Sequence, residues 1–132
     1  MRAGIVLMVA AAGCVNPLTA TYNNCTNFKD RSAAGADRTV IFGGDIGLSF
    51  SPRCMDIAVG QSVDFQGDFS VHPIAAGTGP TSTADGSPNN PITTPAPGAT
   101  DMSFTFSTAG QYPFFCQQHV GGGMAGVIRV RQ

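Results

Sequence analysis

The amino-acid sequence predicts an all-β sandwich of about seven or eight short strands. Three features of the 132 residues indicate this: Gly and Pro number 17 and 9, only 11% of the residues are charged, and apolar side chains repeatedly alternate with polar ones. No long segment beyond the N-terminal apolar run shows the 3.6-residue apolar period of a helix. A chain of this length suits one domain with a single hydrophobic core.

Four strands are predicted in the first half of the domain. The apolar stretch TVIF (39–42) forms the first and is followed by the turn GGD, and IGLSF (46–50) forms the second. In MDIAVGQSVDF (55–65), apolar side chains occupy alternate positions on both sides of Gly60 and Gln61. This pattern predicts two half-buried strands joined by a tight turn.

The second half of the domain begins with a long irregular segment. Residues 77–100 hold five of the nine prolines and almost nothing that could fill a core, so we expect a surface excursion there, with at most one short strand. Three strands follow: MSFTF (102–106) with alternating apolar residues, GQYPFF (110–115) running up to Cys116, and AGVIRV (125–130).

The N-terminal segment predicts export. A positively charged start, a short apolar run and small residues before Cys14 indicate a signal peptide over residues 1–13. The stretch AAAGC also resembles a bacterial lipobox, whose cysteine is lipidated and becomes the mature N-terminus. The alternatives are a plain signal peptide cut nearby and an apolar N-terminal strand. We therefore expect a tether and lead-in over 14–38, the folded domain over 39–132, and a protein of the periplasm or bacterial cell surface, with Cys14 as its only membrane attachment.

Export also bears on the remaining cysteines. An oxidising compartment favours disulfides, and Cys25 and Cys54 are the natural pair. Their bridge would join the N-terminal segment to the domain and leave Cys116 as a free thiol. The alternative is that one or both are buried as small apolar side chains.

The residues that carry chemistry lie near the C-terminus. Cys116, His119 and Met124 follow one another as C-x-x-H-x-x-x-x-M on the loop before the last strand, and His72 in DFSVHPI is the only other histidine. A strand end and a distant loop can meet at one pole of a sandwich, which would complete a His₂CysMet set suited to copper. The alternative for each residue alone is packing or an ordinary surface position.

The stretch GQYPFFCQQHVGGGMAGVIRV resembles the copper loop of cupredoxins, with the ligand spacing of plastocyanins, and FSPRCMDIAVGQSVDFQGDFSVHP resembles the segment that ends at the first copper histidine. The resemblance is to the plastocyanin/azurin family and spans about residues 39–132. It implies a Greek-key sandwich and one type 1 copper, with His72, Cys116 and His119 as equatorial ligands and Met124 as the axial one. It also implies an electron carrier that cycles Cu(II)/Cu(I), not an enzyme.

Other functions fit less well. Multicopper oxidases and nitrite reductases need additional histidines, and this chain has two. A copper-binding or storage protein without a redox role is the main alternative; zinc in the same ligands and a metal-free adhesive sandwich are others. The formal net charge of -1 gives no basic surface for nucleic acid. Residues 102–128 carry no charge, so we expect a monomer that docks transient redox partners at an apolar patch around His119.

Two positions depart from the family pattern. Plastocyanins and azurins usually have Asn after the first histidine, and its backbone N–H bonds the copper thiolate; here Pro73 has no N–H. Plastocyanins have Pro two residues after the cysteine, where this chain has Gln118. The hypothesis is that the Gln118 N–H bonds the Cys116 sulfur instead.

Overall fold

The computed structural model describes residues 18–80 and 89–132, which form two β-sheets. The nine strands of these ranges are β1 (Lys29–Asp30), β2 (Thr39–Phe42), β3 (Phe50–Ser51), β4 (Cys54–Ala58), β5 (Ser62–Gln66), β6 (Ile74–Ala76), β7 (Asp101–Thr105), β8 (Gly110–Cys116) and β9 (Ala125–Arg131). Short 3₁₀ turns occupy Gly44–Ile46 and Val120–Gly122. The predicted all-β class is confirmed, with a slightly higher strand number. The predicted leader and Cys14 lie outside the described residues.

The larger sheet has the order β1-β4-β9-β8-β6 and the smaller one β3-β2-β5-β7. Strand β9 runs parallel to β4 and antiparallel to β8, and β6 is antiparallel to β8 with Ile74 opposite Cys116. The start of β6, the end of β8 and the start of β9 therefore lie at the same end of this sheet. No helix in the described residues is long and apolar enough to cross a membrane.

Aromatic side chains join the two sheets. Phe114 from the larger sheet makes edge contacts with Phe50 and Phe65 from the smaller one, at ring-centroid distances of 4.9 and 5.0 Å. Such edge-to-face pairs stabilise a core by about 0.5–1.5 kcal/mol each beyond their burial. All three rings belong to one buried cluster that also contains Cys116 and Met124. The hydrophobic core therefore extends to the pole at which the predicted ligands lie.

Two expectations about the strands are wrong in part. Residues 46–50 were expected to form a strand, but only the end of that stretch does so, in β3. Gly44 and Gly47 have φ values of 55° and 72°, which place the segment in turns instead. Strand β4 was expected to be half-buried, yet four of its five residues are buried, including Asp56.

The buried carboxylate of Asp56 has a charged partner. Arg129 in β9 donates from Nε and Nη2 to the two Asp56 oxygens at 2.5 and 2.6 Å, and this bonding raises the pKa of the guanidinium. The same guanidinium lies 3.8 Å from the ring centroid of Phe28. The lead-in segment thus covers the outer side of the sheet, which the apolar alternation alone did not indicate.

Residues 14–38 were expected to be a tether and lead-in outside the folded domain, but much of their described part is attached to it. The predicted disulfide between Cys25 and Cys54 is present, and its sulfurs pack with Val127 in a second apolar cluster, against which Tyr22 and Phe28 lie. Strand β1 also pairs with β4. Residues from Tyr22 onward therefore form part of the folded body, and the expected domain boundary at 39 stays a prediction.

The proline-rich excursion also contributes to the core. Ile92 is 3% exposed and belongs to the main cluster, and the Asn90 side chain donates to the Pro113 carbonyl in β8 at 2.9 Å. The expectation that this segment fills no core is therefore wrong. Its described parts, 77–80 and 89–100, contain no strand.

Candidate metal centre

The larger sheet brings His72 next to Cys116. His72 lies in the turn two residues before β6, and Cys116 is the last residue of β8. Because Ile74 pairs with Cys116, the residues just outside this pair also meet, and the Gln117 N–H donates to the Pro73 carbonyl at 2.9 Å. His72 therefore lies just before β6, the strand that precedes the excursion. The sequence had suggested that His72 lies at the end of a strand.

Three donor atoms converge at this point. The Nδ1 atoms of His72 and His119 are 3.2 Å apart, and Cys116 Sγ lies 3.8 Å from the first and 3.4 Å from the second. Metal bonds of about 2.0–2.1 Å to nitrogen and 2.3 Å to sulfur, at near-tetrahedral angles, separate ligand atoms by about 3.3–3.6 Å, and the three observed distances lie within about 0.2 Å of this range. The three side chains thus fit one metal ion. Lone pairs on the two Nδ1 atoms would repel each other at 3.2 Å, so a proton or a cation must lie between these atoms.

The copper loop, residues 116–124, is closed by backbone hydrogen bonds. The Cys116 N–H donates to the Met124 carbonyl at 2.9 Å, and the His119 carbonyl accepts from Gly122 and Met124 at 3.0 and 3.3 Å. Gly123 has a left-handed backbone, with φ 85°. Met124 is fully buried in the cluster that contains Cys116. The loop therefore holds the fourth predicted ligand residue, Met124, next to Cys116 and His119 through backbone hydrogen bonds.

Burial differs between the two histidines. His72 is only 6% exposed, with Phe42 packed edge-on at 6.0 Å, whereas His119 is half-buried beside the exposed Gly121–Gly123. Burial lowers the pKa of His72, His119 lowers it further, and Asp68 has the opposite effect. A lowered pKa keeps the imidazole neutral, the form that binds metal.

One glycine beside the centre was not singled out from the sequence. A Cβ on Gly43 would lie 3.2 Å from both Cδ2 and Nε2 of His72, and its φ of 74° disfavours a side chain as well. Gly43 thus leaves room for the imidazole to turn its Nδ1 toward Cys116. The GGD stretch was interpreted only as a turn, because its contact with residue 72 depends on the tertiary fold.

The hypothesis about Gln118 is not supported. Within the described residues, Cys116 Sγ is at hydrogen-bonding distance from the two histidine nitrogens, and no hydrogen bond from the Gln118 amide to that sulfur is present. Pro73 offers no N–H, and its carbonyl is used by the Gln117 amide. The Gln118 N–H therefore does not replace the hydrogen bond to the Cys116 sulfur that Pro73 cannot donate.

Comparisons with known proteins agree with this centre. The family model of copper binding proteins, plastocyanin/azurin family, matches residues 36–131. The chloroplastic plastocyanin of Physcomitrium patens is 35% identical over 101 residues, which are 70% of this chain and 56% of that protein. The one of Chlamydomonas reinhardtii is 34% identical over 108 residues, or 75% of this chain and 70% of that protein.

Solved structures show the same fold. The structure of a pseudoazurin from Sinorhizobium meliltoi is 26% identical with a TM-score of 0.50, and the match covers 71% of this chain and 72% of that one. The chain spans little more than half the length of the Physcomitrium relative, but the family model covers most of the chain itself. The chain therefore belongs to the plastocyanin/azurin family of copper-binding proteins.

Proposed function

We propose that this chain is a small exported carrier of single electrons that holds one copper ion on His72, Cys116, His119 and Met124. The convergence of two imidazole nitrogens and one thiol within 3.8 Å of one another carries the proposal. Two imidazoles, a thiolate and a thioether form the donor set that suits copper electron-transfer sites. Copper supplies reversible one-electron exchange between Cu(II) and Cu(I).

The protein's own residues supply rigidity and access. Cys116 is buried at the end of β8 and His72 is buried in the turn before the adjacent strand β6, and the hydrogen bond from the Cys116 N–H to the Met124 carbonyl fixes both ends of the loop. A rigid ligand set limits rearrangement between oxidation states, which favours fast transfer. His119 is half-buried and borders solvent, so it is the residue through which electrons would enter and leave.

The surface around His119 supports docking of a redox partner. Gly121, Gly122 and Gly123 are exposed and carry no side chains, and Val71, next to His72, is 50% exposed. The absence of charge between residues 102 and 128 removes repulsion between this loop and a partner. We expect a small, transient and mainly apolar contact there, made by a monomer.

Copper storage is the second candidate, and the other methionines in the described part of the chain argue against it. Met55 is fully buried in the core, and Met102, which is 38% exposed, lies on β7 in the other sheet. In the described part of the chain, one cluster of His, Cys or acidic side chains suits a metal, namely His72, Cys116 and His119. A storage protein would expose several soft ligands for several ions. We therefore expect one copper per chain.

Export is supported by the disulfide between Cys25 and Cys54, because such bonds persist in oxidising compartments. The periplasm or bacterial cell surface is the location we propose, with lipid on Cys14 as the attachment. Mass spectrometry of protein made in its native host tests the lipid. An unmodified residue 14, or its removal, would refute the anchor.

Addition of Cu(II) to the metal-free protein tests the function. We expect an intense visible thiolate-to-copper band at one ion per chain, which Cys116→Ser abolishes and Met124→Leu shifts. Met102→Leu is the matched control, since that methionine lies in the other sheet, and it should leave the band unchanged. A colourless product, or several coppers per chain, would refute the electron carrier.

A further inference from the structure

Asn23 joins the two strands that carry the copper loop. Its Nδ2 donates to the carbonyl of Phe114 at 3.1 Å and to that of Gly126 at 2.9 Å. Phe114 precedes Cys116 by two residues, Gly126 follows Met124 by two, and the two are register partners. We propose that Asn23 is a positioning residue, which fixes the separation of β8 and β9 at the base of the loop and thereby the ligands Cys116 and Met124.

The chemistry of the amide suits a bridge. A side-chain amide has two N–H groups, and a backbone carbonyl that already takes part in a ladder keeps a second lone pair. Asn23 reaches one carbonyl in each strand, so it ties β8 to β9 in addition to their own hydrogen bonds. These contacts connect positions 91 and 103 residues apart in the sequence.

The surrounding residues hold Asn23 in place. Asn23 and Asn24 have left-handed backbones, with φ of 48° and 56°, and the Cys25 N–H donates to the Tyr22 carbonyl at 2.9 Å to close the turn. The Arg53 guanidinium donates to the Asn23 carbonyl, at 2.6 Å from Nη2. The disulfide at Cys25 anchors the segment covalently. The bridge is therefore built on a constrained segment.

Only one pair of residues separates the bridge from the ligands. Phe115 and Ala125 are the last paired residues of β8 and β9, and beyond them the Cys116 N–H donates to the Met124 carbonyl. Without the bridge, the two strands lose their side-chain link at this end and keep their ladder and their core packing. The hydrogen bond between Cys116 and Met124 would then open more often.

Two variants of Asn23 test the proposal. Asn23→Gly removes the amide and accepts a left-handed backbone, and Asn23→Asp keeps the shape but directs oxygens at two carbonyls. Gln61→Ala is the matched control. The Gln61 side chain also binds two backbone groups, the Ala58 N–H and the Ser32 carbonyl, both at 2.8 Å, but at the opposite end of β4.

The first readout is hydrogen exchange in the metal-free protein. The Cys116 amide, bonded to Met124, is compared with the Gly67 amide, which donates to the Thr100 carbonyl at 3.0 Å at the end of the smaller sheet away from Gln61. We expect the ratio of the two exchange rates to rise at least fivefold in both Asn23 variants and not in Gln61→Ala. Asn23→Asp suffices if Asn23→Gly does not fold.

The second readout is the visible band and the reduction potential of the copper-loaded protein, and only here does the inference rest on the proposed function. Both should shift in the Asn23 variants and stay unchanged in Gln61→Ala. An unchanged exchange ratio in the Asn23 variants overturns the proposal, and so does an equal rise of the ratio in Gln61→Ala. A raised ratio in the Asn23 variants with an unshifted band and potential overturns it as well. A colourless product from every protein, the parent included, refutes the copper carrier, and the exchange ratio then decides the bridge on its own.

Discussion

Gly126 in β9 occupies a position at which a side chain has no space. A Cβ there would lie 2.2 Å from the Arg53 carbonyl oxygen and 2.5 Å from Phe114 Cζ. A carbon needs about 3.3 Å from an oxygen, so the backbone beside β9 must retreat by about 1 Å. The Arg53 carbonyl accepts the Val127 N–H at 2.8 Å, and this movement would break that bond. The free energy of unfolding of Gly126→Ala should fall by about 3–5 kcal/mol from the lost bond and overpacking together.

Urea unfolding of the metal-free protein with its disulfide intact measures the loss. With a slope of about 2 kcal/mol/M, the midpoint should fall by about 1.5–2.5 M. Gly121→Ala is the control, because a Cβ on Gly121 meets nothing within 4 Å, and it should stay within about 0.5 kcal/mol of the parent. A loss below about 1 kcal/mol in Gly126→Ala would show that the strands yield easily and would refute the steric reasoning.

Three further changes have defined outcomes. Asp56→Asn leaves the largely buried Arg129 guanidinium without its carboxylate, and urea unfolding should show a loss of about 2–4 kcal/mol. Gly43→Ala places a Cβ 3.2 Å from the His72 ring, so the imidazole must move and the visible band of the copper-loaded protein should shift. Cys25→Ser opens a disulfide between residues 29 apart in the sequence, which contributes about 3–4 kcal/mol, and the Tm should fall by about 10 °C or more.

Each of these changes has a matched comparison. Asp64 in β5 is exposed, and Asp64→Asn should leave the unfolding midpoint unchanged; an equal loss there would show that the ion pair is not the cause. Gly44 has a φ of 55° and nothing within 4 Å of its Cβ, so Gly44→Ala adds backbone strain without touching His72. An equal band shift in both glycine variants would contradict the contact argument. Treatment of the parent with a reductant should reproduce the Tm of Cys25→Ser, and an unchanged Tm would contradict its disulfide origin.

Strands with a short apolar run or a clear apolar alternation were predictable from sequence. TVIF forms β2 within the expected bounds, and MDIAVGQSVDF contains β4 and β5 on either side of the expected turn. Both faces of β4 are buried because the lead-in covers one of them, and a contact from so distant a segment leaves no local period. Ile92 was missed for a similar reason, since one apolar residue among prolines shows no pattern even when it enters the core.

The candidate site was predictable in its residue types, but its surroundings were not. The spacing of Cys116, His119 and Met124 is local, and His72 was the only histidine left to join them. The parts played by Gly43 and Asn23 depend on contacts with residues far away in the chain, which no pattern in their own segments encodes.

Because the proposed ligands are far apart in the sequence, the supply of copper should affect how long the protein survives. Three of them lie within residues 116–124, but His72 precedes Cys116 by 44 residues and reaches the others only when β6 pairs with β8. An unfolded chain lacks the complete set and competes poorly for the ion. Free copper at 100 times its dissociation constant would add about 2.7 kcal/mol to the folded state. By mass action, copper scarcity in the compartment would shorten the survival of the empty chain among proteases.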